Sequence, residues 1–261
     1  MGVRTMKIDY KHSQNTHTLK GPVTAIKKLL RKKPRSLLDV GCGEGQWMKA
    51  AKEIGVREVF GVDGIRSTGK KYYEKNEFKK IDFRKSWVLR KKYDLVLSLE
   101  VAEHLDQRYA KKFVQSLCKH GDQIIFSAAC PGQPGQHHVN CQWPAYWQKI
   151  FNAFGYACDD NLRDKIWDNP DIEPWYKQNI FSAKKSVAAG KEPRLRSIMH
   201  PEMFPPSQFK TAHIHHEVVI KQVQAGSMPF LWYMAIPFLG LFGKVGRLLT
   251  KLRSQGTKKV I

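Results

Sequence analysis

No two of the five cysteines (Cys42, Cys118, Cys130, Cys141 and Cys158) stand in C-x-x-C spacing, and their number is odd. Zinc fingers and ribbons of ordinary spacing are therefore excluded, and a disulfide framework is not expected. No signal-peptide pattern opens the chain, so a cytoplasmic protein with reduced thiols is expected. Met1-Gly2 is followed by Met6 where N-myristoylation needs Ser or Thr. Long apolar runs are also missing. The stretch 228–243 has sixteen residues and contains Pro237, whereas a membrane span needs about 20. Acid is scarce at both ends. Residues 1–35 hold ten Lys or Arg against Asp9 alone, and no acid follows Glu217.

The basic excess is large over the whole chain of 261 residues: 45 Lys and Arg against 23 Asp and Glu, a net charge of +22. Such a chain suits an anionic partner, whether nucleic acid, acidic lipid or a charged glycan. Hydrophobic residues at 42% are enough for a proper core, so wholesale disorder is excluded. The length fits one large domain with extensions, or two small ones.

The most informative run is Leu37-Leu38-Asp39-Val40-Gly41-Cys42-Gly43-Glu44-Gly45. A short apolar strand ends at a glycine turn, and a helix is expected from Gln46. That arrangement brings backbone close to a ligand, and glycine is expected there because a Cβ would collide with it. The dinucleotide fingerprint G-x-G-x-x-G is incomplete, since the third glycine comes one place early. Asp39 would repel a pyrophosphate, yet it suits a cationic ligand group or the orientation of a turn.

Three further runs follow in order. Val59-Phe60-Gly61-Val62-Asp63-Gly64 ends a second strand in an acid, 18 residues beyond Gly45. An acid at that tip can accept both hydroxyls of a ribose. Next come Ile81-Asp82-Phe83 and then Tyr93 to Leu105, which contains Ser98-Leu99-Glu100-Val101-Ala102-Glu103-His104. The four runs resemble the motifs of class I S-adenosylmethionine-dependent methyltransferases. The resemblance covers residues 36–185. It implies an α/β, Rossmann-like, seven-stranded, mostly parallel sheet with helices on both faces, here with a basic C-terminal extension. It further implies that Asp39, Gly41, Gly43 and Gly45 contact or admit the methionine part of S-adenosyl-L-methionine. Asp63 would take the ribose, Asp82 and Phe83 the adenine, Leu99 would lie beside the methionine, and Glu100 near the acceptor. No metal is expected.

The organisation agrees with one such domain between a basic segment (1–35) and an extension (186–261). Helices are expected over 22–33, 46–54, 107–119, 146–154 and 161–167. Strands are expected over 57–62, 93–98 and 123–127. Trp175 to Phe181 reads as the last strand, inserted antiparallel by resemblance. His213 to Ile220 reads as a strand or helix start with a polar histidine face. Residues 228–253 place aromatics before a basic amphipathic run. This fits an interfacial anchor on acidic lipid, or else a core-covering or dimer-forming helix pair. The oligomeric state is not encoded in any motif.

Methyl transfer to an alcohol benefits from a base, and histidine is the natural candidate near neutral pH. His104 follows Glu103 at the end of the fourth-strand motif. His138 and Asn140 sit in a loop rich in glycine and proline after the fifth strand. That loop, with the aromatic helix behind it, resembles a branch of small-substrate methyltransferases, some linked to glycan assembly. His104 fits a structural part of the motif, and His138 a contact with the acceptor. The expected activity is O-methylation of a small-molecule or glycan-like acceptor. Two alternatives compete. RNA methylation would use the charge, but the Asn/Asp-Pro-Pro-aromatic motif of base methylation is missing at Ser98-Leu99-Glu100-Val101. A membrane-associated scaffold without activity would not need every cofactor motif intact.

Overall fold

The computed structural model describes residues 18–30 and 32–203. Residues 1–17, the stretch 213–220 and the stretch 228–253 lie outside the described residues. The strands are β1 (Ser36–Val40), β2 (Glu58–Asp63), β3 (Phe78–Lys80), β4 (Leu95–Leu99), β5 (Gln123–Ser127), β6 (Tyr156–Asp159) and β7 (Phe181–Lys185). The helices are α1 (Lys20–Leu29), α2 (Gln46–Glu53), α3 (Ala110–Cys118), α4 (Pro144–Asn152), α5 (Asn161–Asp164) and α6 (Pro174–Asn179). All seven strands join one sheet in the order β3-β2-β1-β4-β5-β7-β6. The first five pair in parallel, and β7 runs antiparallel to both its neighbours. This is the seven-stranded Rossmann-like sheet that the sequence implied.

The strands are apolar on both faces because helices cover both. Leu38, Val96, Ile124 and Phe126 pack with Phe113 of α3 and with Trp147 and Phe151 of α4. Leu37, Leu97 and Ile125, their neighbours in sequence, turn to Ile26 of α1, Met48 of α2 and Tyr176 of α6. Each buried large side chain contributes about 1.5–3 kcal/mol. The parallel register levels the strand ends: Asp39 pairs with Gly61 and Leu97. The turns after β1, β2, β3 and β4 therefore open on the same edge of the sheet, where ligands sit in such folds.

Residues 175–181 differ from the expectation. Residues 175–179 belong to α6, and the strand begins only at Phe181. Pro174 pre-sets the first helical turn, and the Glu173 carbonyl accepts N–H bonds from Tyr176 and Lys177. Tyr176 and Ile180, one helical turn apart, are both buried. The first helix also starts and stops earlier than expected, because Leu30 is already extended (φ −95°, ψ 110°).

The chain does not leave the domain at residue 185. Glu192 accepts hydrogen bonds from Gln148 Nε2, Asn152 Nδ2 and the Cys158 N–H. Leu195 joins the core. The fully buried Lys177 ammonium donates to the Asn169 carbonyl (3.1 Å) and to Glu202 Oε2 (2.6 Å). Glu202→Ala would leave that ammonium short of a partner. The expected loss is about 1–3 kcal/mol, less than for a wholly buried pair because the Glu202 side chain is 53% exposed. Thermal unfolding of the variant checks it.

Candidate active site

A cavity opens at the carboxyl ends of β1, β2 and β4. The glycine turn forms one wall, through Gly41, Cys42, Gly43 and Glu44. Asp63, Gly64 and Ile65 form a second. Phe83 stands beyond β3, and Leu99, Glu100, Val101, His104 and Leu105 complete the far side. Pro22 of α1, Gln46 and Trp47 of α2, and Tyr176 of α6 close the rest.

Backbone conformation sets the glycine turn. Gly41, Gly43 and Gly45 have φ of +83°, +55° and +90°, a region that L side chains avoid. A Cβ on Gly41 would stand 2.2 Å from Val101 Cγ2, and one on Gly45 would stand 2.7 Å from Tyr73 Cδ1. Protein packing by itself therefore demands glycine at these two positions, a reason that the sequence did not show. Asp63 binds the turn to the tip of β2. Its Oδ2 accepts the Gly43 N–H (2.9 Å) and its Oδ1 the Ile65 N–H (2.8 Å). Asp63 is 7% exposed and borders the cavity.

Asp39 lies behind this wall and does not border the cavity. Burial, and then the negative charge of Asp63, push its carboxyl up to about 8. Its Oδ2 is buried with no hydrogen-bond partner. Asp82 also stays outside the wall, with Arg84 donating to both its oxygens (2.8 and 2.9 Å). Phe83 and Leu99 border the cavity as apolar surface.

Glu100 is held in an uncommon backbone conformation, φ +55°. A non-glycine residue there stores about 1–3 kcal/mol, and such strain clusters at working sites. Its N–H donates to the Ser127 carbonyl (3.0 Å). Its carboxylate accepts from Gln133 Nε2 (2.8 Å) and Asn179 Nδ2 (3.1 Å). Burial raises its pKa even against these donors. Gln133, Tyr176 and Asn179 were invisible as site residues in the sequence. Tyr176 and Asn179 belong to the segment read as a strand, and Gln133 comes from the loop after β5.

The loop carrying His138 folds onto the turn after β4. The N–H groups of Val139 and Asn140 both donate to the Glu103 carbonyl (3.0 Å each). This brings the His138 ring to 5.1 Å from the His104 ring, centre to centre. His104 borders the cavity; His138 stands behind it. Burial, and then the nearby His138, lower the His104 pKa to about 4. Burial lowers that of His138 as well. Both rings are therefore neutral near pH 7.

Residues 12–161 match a family described as a methyltransferase domain. The chain belongs to that family and is a class I S-adenosylmethionine-dependent methyltransferase. No curated protein matches its sequence. Among solved structures, a magnesium protoporphyrin IX methyltransferase from Synechocystis is similar at 19% identity and TM-score 0.41, over 57% of this chain and 74% of that one. The plantazolicin methyltransferase is similar at 14% identity and TM-score 0.44, over 64% and 83%. A Pyrococcus horikoshii protein is similar at 13% identity and TM-score 0.45, over 69% and 97%. Likenesses this distant say nothing of the acceptor.

The buried Asp39 generates a pH prediction. The folded ligand-free protein holds this proton more tightly than the unfolded chain does. Its contribution is full below about pH 4, the unfolded value, and declines as pH rises toward 8. Asp39→Asn, which has no proton to lose, should remove that decline. Melting curves of both proteins across this range check it; parallel curves would contradict it.

Proposed function

We propose that the enzyme O-methylates a small-molecule or glycan-like acceptor, with S-adenosyl-L-methionine held between the glycine turn and Asp63. The supporting observation is a single cavity bordered by Asp63 at one end and by Glu100 and His104 at the other. The cofactor, when bound, supplies a methyl group on a sulfonium and retains the bonding electron pair on sulfur. The protein's part is to orient and to exclude water. Asp63 has the chemistry to accept the ribose hydroxyls, and Phe83 and Leu99 offer apolar surface to the adenine and methionine portions. A cationic ligand at the turn would draw off the proton of the buried Asp39 and be held by the carboxylate left behind, and S-adenosylmethionine carries positive charge. Asp82 fits the adenine amino group less directly, because Arg84 already engages its carboxylate.

An alcohol must lose its proton as the methyl group arrives. His104, neutral near pH 7 and on the cavity wall, and the Glu100 carboxylate are the groups suited to take or relay it. His138 then acts on His104 rather than on the acceptor. The basic stretch 228–253 suits an acidic lipid surface in the cytoplasm, which would present a membrane-linked acceptor. No described helix is long and apolar enough to cross a membrane.

The test is to incubate the protein with methyl-labelled S-adenosylmethionine and separated lipid, glycolipid, small-molecule, RNA and protein fractions. Label should enter the glycolipid or small-molecule fraction. Entry into RNA or protein instead would overturn the proposal. Asp63→Ala should weaken cofactor binding about tenfold to a hundredfold, at about 1.5–3 kcal/mol for hydrogen bonds to a charged acceptor, and lower the labelling at limiting cofactor in proportion.

A further inference from the structure

Behind the cavity wall the turn after β4 and the loop after β5 place three ligating side chains together. One donor atom from each of Glu103, His104 and His138 lies within 4.8 Å of the other two. Glu103 is fully buried, and neither carboxylate oxygen has a hydrogen-bond partner. The backbone N–H groups of Glu103 and Ala129 and the Glu100 side chain approach it at longer or less direct geometry. A buried carboxylate costs several kcal/mol unless something meets it. The charged group that acts on it most strongly among the described residues is the Glu100 carboxyl, of the same sign.

The two histidines are oriented by backbone carbonyls. His138 Nδ1 stands 3.0 Å from the Gln133 carbonyl, so Nδ1 carries the donated hydrogen and Nε2 the lone pair. His104 Nδ1 faces the His137 carbonyl at 3.4 Å. His137 holds the unusual φ of +51° that aims this carbonyl. Gly135 makes room for the His138 ring, since a Cβ there would stand 2.1 Å from Nε2. Carbonyls that fix the ring orientation of ligating histidines are the usual outer support of a metal site.

We propose that Glu103, His104 and His138 bind a first-row divalent cation, although the sequence pointed to no metal. Two imidazoles and one carboxylate form a nitrogen-rich donor set suited to zinc, cobalt, manganese or iron rather than to magnesium or calcium. Bonds near 2.1 Å put adjacent ligands about 3–3.4 Å apart, so the three draw together by up to ~1.5 Å as the ion enters. Three protein ligands leave positions open, and His104 carries the site to the cavity wall. The open positions take an acceptor hydroxyl, whose proton the ion makes easier to release; with the His104 lone pair on the ion, that proton passes to the Glu100 carboxylate. This role rests on the O-methylation proposed above; the binding itself does not.

The test titrates the full chain with Co²⁺ and follows visible ligand-field absorption and thermal stability. One ion per chain should bind, with visible bands and a raised Tm. Glu103→Gln and His138→Ala should each weaken binding at least tenfold, while S-adenosylmethionine binding shows that the variants are folded. Should Glu103→Gln not fold, His138→Ala decides, since His138 lies on a loop. Absence of binding by the unaltered protein would overturn the site and leave Glu103 as a protonated neighbour of Glu100. Binding that survives both substitutions would also overturn it, and would direct attention to His213, His215 and His216. Cobalt bound at this site by a protein that does not bind S-adenosylmethionine would uphold the metal and defeat the cofactor assignment.

Discussion

Carboxylates buried at one edge of the sheet are the constraint around which this molecule is arranged. Asp39, Asp63 and Glu103 are at most 7% exposed, and Glu100 stands among them. Charge removed from water must be met by donors, by a proton or by a cation. Asp63 uses two backbone N–H groups, and thereby clamps the glycine turn to the tip of β2. Glu100 uses the amides of Gln133 and Asn179. Asp39 instead keeps its proton to about pH 8, and no well-formed hydrogen bond reaches Glu103. A positively charged ligand answers both. The donor pocket and the proposed cation site are thus two responses to one electrostatic requirement.

The same edge explains why function concentrates there. Parallel strands end level, so turns far apart in sequence meet. The loop after β5 gains its role only by folding back, where two N–H bonds to the Glu103 carbonyl pin it. That contact turns two histidines 34 residues apart, His104 and His138, into neighbours.

Much of this was legible in the chain. The apolar run ending at Ser127 gave β5 at its observed limits, and the glycine turn and the acid of Asp63 gave the cavity its first two walls. The segment 175–181 was not legible. Seven mixed aromatic and polar residues satisfy either period, and the packing of Tyr176 and Ile180 in the core, with Pro174 at the first turn, favours the helix. The glycines were found for an incomplete reason. Their positions follow from the turn, yet the atoms that exclude a Cβ belong to Val101 and Tyr73, 60 and 28 residues further on.

The sequence by itself determined the strand–helix alternation of a parallel sheet and the chemical types at the ends of β1, β2 and β4, because hydrophobic period and glycine placement are local properties. It determined the family for the same reason, since each motif is a short run legible without its neighbours in space. Tertiary structure alone decided which acids are buried, which are already paired, and which histidine faces the cavity. Those outcomes depend on dielectric surroundings and on distances between segments remote in sequence, and neither is carried by any single stretch of chain.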